Sequence, residues 1–214
     1  MITVHHLGVS QSERVVWLCE ELNIPYELKR YQRDPVTQLA PPEYKALHPL
    51  GTAPIITDGE LVLPESGAII QYIIGRYGNG RLQLGPESPN FADYLFWFNF
   101  ANASLMPNLM GPMILQFTGL DADSVPVLKS LFSRKDSAFA LIEKRLGEAP
   151  YFSGEAFTAP DIIMLFPVTT MRSFCAVDLA DFPNLKAYLK RIGERPAYQR
   201  AMAKGDPELV PKLD

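Results

Sequence analysis

Apolar residues at the start of the chain follow first a strand pattern, then a helical spacing, then a strand pattern again. Residues 2–7 and 26–31 have the pattern of short strands. Between them, residues 13–22 carry apolar side chains at helical spacing with charged residues in between, which predicts an amphipathic helix. A strand, a helix and a strand in this order form a β-α-β unit, so we expect the two strands to be parallel.

The next segment predicts a hairpin followed by a longer helix. Apolar runs at 55–57 and 61–63 flank an Asp-Gly pair at 58–59, and such a pair is the strongest short-range signal for a hairpin. A short helical turn is expected at 42–47, and the apolar pattern of a longer helix covers 66–77. The predicted order is therefore β-α-β-α-β-β-α, with a mixed four-stranded sheet.

Glu65 and Ser66 stand where this longer helix begins. Ser66 is suited to be the N-cap residue of the helix. A helix N-terminus attracts anions through its free N–H groups and its dipole, and Glu65 beside it attracts a cation. A ligand with both charges on neighbouring atoms, such as a free α-amino acid group, suits the pair. The alternative is that Ser66 only caps the helix and that Glu65 is merely solvated.

From residue 91 onward all apolar patterns are helical. Pro107 and Pro112 are expected to kink or break the first of these helices. Thr158 as N-cap, with Asp161 three residues later, predicts the capped start of a helix that is apolar all round and therefore buried. The predicted helices of this part cover residues 91–116, 123–147, 158–166, 183–192 and 196–203.

A linker composition separates the two parts. Residues 79–90 hold two Gly, two Pro and two Asn. We therefore predict a small α/β domain at 1–80, a linker at 81–90 and an all-helical domain at 91–214.

Composition and charge exclude several classes of protein. The chain has 214 residues, of which 47% are hydrophobic, so it can bury a sizeable core. Its net charge of −4 lacks the basic face of a nucleic-acid-binding protein. Its two cysteines have no metal-site spacing, and His5 and His6 point to opposite sides of a strand, so no metal site is expected. We find no signal peptide and no membrane span, and expect a cytoplasmic protein.

The order of four motifs makes the chain similar to a known family. A serine-containing loop, GVSQS, precedes the first helix, and GTAP precedes the hairpin. PESGAI opens the next helix, and FTAPDI opens the buried one. Together they resemble the cytosolic glutathione S-transferase superfamily, in its serine-type bacterial and fungal members. The resemblance covers essentially the whole chain and implies a thioredoxin-like N-terminal domain followed by a helical C-terminal domain.

The resemblance also implies a glutathione site. Pro54 would be a cis proline that turns the backbone of Ala53 toward the cysteinyl unit of glutathione. Glu65 would hold the γ-glutamyl ammonium group, and Ser66 its carboxylate. Family members often carry Lys or Gln where Thr52 stands, so the residue for the glycine carboxylate is open. The candidates for that role are Lys45, His48 and Gln38.

Ser10 matches the position of the catalytic hydroxyl in serine-type members of the family, four residues before Arg14. It would donate a hydrogen bond to the thiolate of glutathione. Lowering the thiol pKa from about 8.5 by two units needs about 2.7 kcal/mol, and a hydroxyl bonded to a charged acceptor supplies roughly 1.5–3 kcal/mol. The alternatives are that Ser12 takes this role, or that neither serine touches sulfur, with His6 as an outside candidate.

The resemblance implies a second pocket for a small hydrophobic electrophile, at the domain interface. Its candidate residues are Phe98, Asn99, Asn102 and Met106, although Phe and Met side chains are equally typical of a core. The implied function is conjugation of glutathione to hydrophobic electrophiles in detoxification, with possible peroxidase activity, by a homodimer that needs no cofactor besides glutathione.

Other functions on the same fold stay open. The protein could bind glutathione with little turnover, or catalyse a glutathione-dependent isomerisation. A thiol reductase would need a cysteine near Ser10, and the nearest is Cys19, inside the first helix on its apolar side.

Overall fold

The computed structural model describes residues 1–119 and 126–214. Contacts within the chain divide it into two compact units, and a segment near the end of the chain belongs to the first of them. The first unit comprises Met1–Gln83 and Gly193–Pro211, and the second comprises Leu84–Ile192 and Lys212–Asp214.

The first unit is built on the predicted mixed sheet. Strand β1 pairs in parallel with β2 and antiparallel with β3, and β3 and β4 form the hairpin, which gives the order β2-β1-β3-β4. Gly59 has a φ of 61° in the two-residue turn, a conformation that glycine adopts without steric cost. This thioredoxin-like arrangement confirms the predicted fold of the first domain. The strands are β1 (Ile2–Leu7), β2 (Tyr26–Tyr31), β3 (Ile55–Asp58) and β4 (Leu61–Pro64).

Helices cover this sheet, and one of them comes from the end of the chain. The helices of the first unit are α1 (Glu13–Leu22), α2 (Pro42–Lys45), α3 (Ser66–Tyr77) and α9 (Pro196–Gly205). Helix α1 is buried at nine of its ten positions and packs against α3 and α9. Arg195 binds both carboxylate oxygens of Glu21 at 2.7 and 2.8 Å, and Arg200 binds Glu20 at 2.9 Å. These ion pairs fix the C-terminal helix to α1.

The second unit is helical, as predicted. Its helices are α4 (Phe91–Phe100), α5 (Met106–Thr118), α6 (Pro126–Glu148), α7 (Ala159–Val168) and α8 (Pro183–Gly193, of which the last residue belongs to the first unit), with a 3₁₀ turn at Thr170–Ser173. The expected start of the second long helix, residues 123–125, lies outside the described residues. No helix in the described part of the chain is both long and apolar enough to cross a membrane.

The two prolines of the first long helix have different effects. A π-helical turn at Ala101–Leu105 separates α4 from α5, and Pro107 is the second residue of α5. A proline lacks the N–H that an α-helix needs in its interior, so the hydrogen-bond register changes on its N-terminal side. Pro112, by contrast, lies inside α5, which continues through it.

Helix α7 has the predicted capping box and is buried at all its positions. One carboxylate oxygen of Asp161 accepts the N–H of Thr158 at 2.9 Å, and the other accepts the N–H of Phe152 at 3.1 Å. Tyr188 donates to the same carboxylate at 3.3 Å. Asp161 thus binds buried donors from three parts of the second unit.

Candidate functional site

Three chain segments that carry predicted site residues meet at one edge of the sheet. His5 of β1 is paired with Ile55 of β3, which is also paired with Pro64 of β4. The loop after β1, the segment before β3 and the start of α3 therefore leave the sheet on the same side. This pairing, invisible in local sequence patterns, brings residues about 50 positions apart into one region.

The Ala53–Pro54 bond is cis, as the resemblance implied. Pro54 is buried, and Ala53 packs against a cluster that includes Leu7 and Tyr44. Leu7 ends β1 immediately before the serine loop. The backbone of Ala53 is thus held next to the loop that carries Ser10.

The helix start at Glu65 differs in one respect from the prediction. Glu65, not Ser66, is the N-cap residue of α3, and Ser66 is the first helical residue. The prediction of Ser66 as N-cap was wrong because the carbonyl of Glu65 already accepts the N–H of Ile69 at 2.9 Å, while Glu65 itself has non-helical backbone angles. The cap therefore lies one residue earlier. Glu65 is exposed and has a φ of 72°, a sparsely populated conformation for a residue with a Cβ, and such residues cluster at binding sites.

Arg14 connects the serine loop to the start of α3. Its Nη1 donates to Ser66 Oγ at 3.1 Å and to Gln11 Oε1 at 2.6 Å. Burial lowers the pKa of Arg14, with the charge of Glu13 opposing, to about 9, so the guanidinium is still charged at neutral pH. This buried positive charge polarises the Ser66 hydroxyl and favours an anion at this helix start.

Ser10 and Ser12 form a hydrogen-bonded pair. Ser10 Oγ donates to Leu7 O at 2.6 Å and lies 2.7 Å from Ser12 Oγ. It also accepts the N–H of Ser12 at 3.2 Å. Ser10 is 5% exposed and Ser12 is fully buried, so Ser10 is the hydroxyl closer to the surface. Neither side chain caps α1 in the usual way, since no side-chain cap bond is formed there.

The pair continues to His6 and from there to the end of the chain. Ser12 Oγ lies 2.8 Å from His6 Nδ1, and His6 Nε2 lies 3.0 Å from Asp206 Oδ2. Asp206 Oδ1 accepts the N–H of Val9 at 3.0 Å, and Val9 has a φ of 51°. Asp206 follows α9, so the C-terminal segment holds the loop that carries Ser10.

The three candidates for the glycine carboxylate differ in their surroundings. His48 Nδ1 accepts the N–H of Leu50 at 3.2 Å, and Gln38 Nε2 donates to Pro35 O at 3.1 Å. Both side chains are used within their own loops. Lys45 is exposed, and its Cγ would lie 3.5 Å from a Cβ added at Gly51, two residues before Ala53.

The predicted electrophile residues lie in the second unit, where their described contacts are mostly local. Phe98 is 5% exposed and stacks on Tyr94 at 6.2 Å, and Met106 is 6% exposed. Asn99 Nδ2 donates to Leu95 O one turn earlier at 2.8 Å. Asn102 lies in the π-helical turn. Their role toward an electrophile stays a prediction.

Cysteines and potential metal ligands add nothing to the site in the described chain. Cys19 is fully buried, and burial followed by the charge of Glu20 raises the pKa of its thiol, which makes it a poor nucleophile. Among the described residues, no group of three His, Cys, Asp or Glu side chains is arranged to hold a metal ion.

Comparison with known proteins agrees with this geometry along most of the chain. Residues 5–82 match the family model described as "Glutathione S-transferase, N-terminal domain", and residues 101–196 match "Glutathione S-transferase, C-terminal domain". The chain therefore belongs to the cytosolic glutathione S-transferase superfamily and is an enzyme of that family.

Individual relatives are similar over nearly their full length. Glutathione S-transferase 3 of Schizosaccharomyces pombe is 33% identical, over 95% of this chain and 88% of that protein. Glutathione S-transferase 1 of Saccharomyces cerevisiae is 29% identical over 95% of both chains. The crystal structure of a glutathione S-transferase from Actinobacillus pleuropneumoniae superposes with a TM-score of 0.87 at 33% identity, covering 98% of this chain and 97% of that one.

Two residues of the site were not found from the sequence. For Arg14 the available signal is a lone arginine among the apolar positions of a buried helix, which indicates a paired internal charge. Asp206 lies 200 residues after His6, and no local pattern connects them.

Proposed function

We propose that this enzyme binds glutathione at the start of α3 and conjugates its thiolate to small hydrophobic electrophiles. The observation that carries the proposal is the buried Arg14 guanidinium bonded to Ser66, beside the exposed carboxylate of Glu65. A zwitterionic γ-glutamyl group carries the two complementary charges on one carbon atom. Its carboxylate binds Ser66 and the helix N-terminus, and its ammonium group binds Glu65.

The cysteinyl and glycine parts of glutathione are assigned to residues at the same end of the sheet. The backbone of Ala53, before the cis Pro54, pairs with the cysteinyl unit. We assign the glycine carboxylate to Lys45, because it is the cationic candidate and its stem packs toward Gly51, whereas His48 and Gln38 are bonded within their loops.

The hydrogen bond to the glutathione thiolate is assigned to the hydroxyl of Ser10. Its hydroxyl lies 2.6 Å from Leu7 O and 2.7 Å from Ser12 Oγ, and in the glutathione complex its proton turns toward sulfur. Ser12 is fully buried behind it and is the less accessible alternative. The pocket for the electrophile is assigned to Phe98, Asn99, Asn102 and Met106, and peroxidase activity at the same thiolate is a further proposal.

A homodimer in the cytoplasm completes the proposal. The second unit exposes a group of large apolar side chains on α4 and α5. These are Leu95, Phe96, Met110 and Ile114, at 45, 49, 42 and 53% exposure. An exposed apolar face of this kind is typical of a surface that a partner covers.

Binding is tested with two matched glutamate variants. Glu65→Gln removes the charge that meets the ammonium group, and Glu60→Gln removes the same charge from the exposed hairpin turn. Loss of a charge-assisted hydrogen bond predicts about ten- to hundredfold weaker glutathione binding by calorimetry for Glu65→Gln only. Equal affinities of the two variants would return Glu65 to a solvated surface residue.

Ionisation is tested by the ultraviolet absorbance of the bound thiolate as a function of pH. Ser10→Ala is expected to raise the apparent thiol pKa by about one to two units while glutathione still binds. An unchanged pKa would refute the role of Ser10. Binding with no turnover of any hydrophobic electrophile would favour the alternative of a glutathione-binding protein.

A further inference from the structure

The chain of hydrogen bonds behind Ser10 has a defined polarity. Both oxygens of the Asp206 carboxylate accept, one from Val9 N–H and the other from His6, so His6 Nε2 carries a proton. In the neutral imidazole the other nitrogen, Nδ1, is then an acceptor, and Ser12 donates to it at 2.8 Å. The oxygen of Ser12 is left to accept from Ser10 at 2.7 Å. Ser10 has one hydroxyl proton and two acceptors within reach, Leu7 O at 2.6 Å and Ser12 Oγ. When this proton turns from Leu7 O to Ser12 Oγ, all hydroxyl protons point from the surface toward His6.

We propose that His6 takes up the thiol proton of glutathione through the hydroxyls of Ser10 and Ser12, and that Asp206 is the positioning residue for this transfer. The inference rests on the proposed function, since it needs a glutathione thiol at Ser10. It adds a proton acceptor, which a single hydroxyl does not provide.

The transfer is balanced at every atom. The S–H bond breaks and its proton joins Ser10 Oγ, while the proton of Ser10 passes to Ser12 Oγ. The proton of Ser12 passes to His6 Nδ1, where an N–H bond forms. The products are a thiolate and an imidazolium, and no oxidant or other reactant is needed. Each hydroxyl has then reversed its direction, so that Ser10 donates to the thiolate, as its assigned role requires.

Asp206 is suited to stabilise the imidazolium. Burial raises the pKa of Asp206, but the hydrogen bond and charge of His6, the N–H of Val9 and the charge of Arg30 outweigh burial and lower it. The carboxylate is therefore ionised at neutral pH. Arg30 is itself paired with Glu208 at 3.0 Å, so its charge is partly compensated.

Other contacts hold the four groups of the relay, Ser10, Ser12, His6 and Asp206, in position. His6 is fully buried, and a Cβ added at Gly205 would lie 3.3 Å from its ring, so the end of α9 packs directly on the imidazole. Arg33 donates to the carbonyl oxygens of Gly8 and Val9 at 2.9 and 3.2 Å. The loop between β1 and α1 is thereby fixed from two sides, as a proton relay requires.

The direct test counts protons. Glutathione is bound to the wild-type enzyme at about pH 7.5, and the thiolate formed is measured by its absorbance. The protons released to solvent are measured by calorimetry in buffers of different ionisation enthalpy. S-methylglutathione, which has no thiol proton, corrects for protons from other groups. We expect a thiolate with close to no proton released. One proton released per thiolate would overturn the relay and leave the transferase function intact.

The second test uses a neutral amide in place of the carboxylate. Asp206→Asn keeps an oxygen for Val9 N–H, but its NH₂ group donates to His6 Nε2 and forces the other tautomer, so that Nδ1 no longer accepts. The apparent thiol pKa should rise by about one to two units, and each thiolate that still forms should release one proton. Asp181→Asn, on the surface of the second unit, removes the same charge as the control.

The outcomes separate the relay from loop support and from the proposed function. If Asp206→Asn unfolds the loop, glutathione affinity falls too, and the wild-type proton count decides alone. If the variant keeps both the wild-type thiol pKa and the wild-type proton count, the relay is wrong. If the wild type forms no thiolate with glutathione at all, the proposed function fails and the relay fails with it.

Discussion

Replacing Asp161 by Ala removes one carboxylate that binds several buried donors. The N–H groups of Thr158 and Phe152 lie at 2.9 and 3.1 Å from it, and the hydroxyl of Tyr188 lies at 3.3 Å. All four residues are buried. An alanine leaves these donors without that acceptor in a place where water does not reach them.

The expected loss of stability is estimated from the two backbone donors. An unsatisfied buried donor costs about 1–3 kcal/mol, so two N–H groups cost roughly 2–6 kcal/mol. Removing the buried carboxylate also removes its own desolvation cost, which offsets part of this. We expect Asp161→Ala to lower the free energy of unfolding by about 3–5 kcal/mol. Asp161→Asn keeps one acceptor oxygen and should cost about 1–3 kcal/mol.

Denaturant unfolding followed by tryptophan fluorescence measures this difference. Trp97 is in the same unit, with its ring centroid 5.0 Å from that of Phe152. Protein concentration is kept constant, because a dimer would make the unfolding midpoint depend on it. Asp181→Ala, an exposed aspartate of the same unit, is the control and should change stability by no more than about 0.5 kcal/mol. Equal effects of the two alanine variants would refute the role of Asp161.

Three further predictions follow from other regions. Lys45→Met should weaken glutathione binding about tenfold but leave binding of an analogue without the glycine carboxylate nearly unchanged. Calorimetry measures both affinities, and the same ratio of the two affinities in wild type and variant would reject Lys45. Burial, and then the charge of Lys29, lowers the pKa of His5 below 6.5. The unfolded chain therefore binds the proton more readily, so the neutral His5 contributes stability above about pH 6.5 that is lost on acidification; His5→Gln should flatten the unfolding midpoint between about pH 7 and 5.5, and a parallel loss in both proteins would contradict this. Phe96→Glu should yield monomers in light scattering, whereas Phe174→Glu, at a similarly exposed aromatic residue, should not; dimers in both would exclude the α4 surface.

Most secondary structure was predictable because each element has a local cause. β1, α1, β2 and α3 have the predicted limits, because apolar periodicity and flanking turn residues specify them without help from distant contacts. The capping box of α7 was predictable for the same reason, since its two members, Thr158 and Asp161, are only three residues apart. Helix α5 shows what local patterns cannot predict. Whether a proline interrupts a helix or lies within it depends on how the neighbouring packing satisfies the freed carbonyl groups.

The candidate site was only partly predictable. Glu65 and Ser66 were identified from their place before a helical pattern, but the cap lies one residue earlier, because the first helical hydrogen bond already starts at the Glu65 carbonyl. The partner of the Ser66 hydroxyl, Arg14, comes from another helix and could not be read from the local pattern. Ser10 was placed by a motif, yet its surroundings could not be read from that motif.

The order of the elements, the two-part architecture and the residues of the family motifs follow from local sequence patterns, because periodicity, turn chemistry and short spacings specify them. Which groups act together depends on the tertiary structure. Asp206 reaches His6 because α9 returns to pack on α1, and Ser12 reaches His6 because the loop folds back over the end of β1. Hydrogen bonds depend on distances of about 3 Å between atoms, and chain folding sets these distances independently of how far apart the residues lie in the sequence.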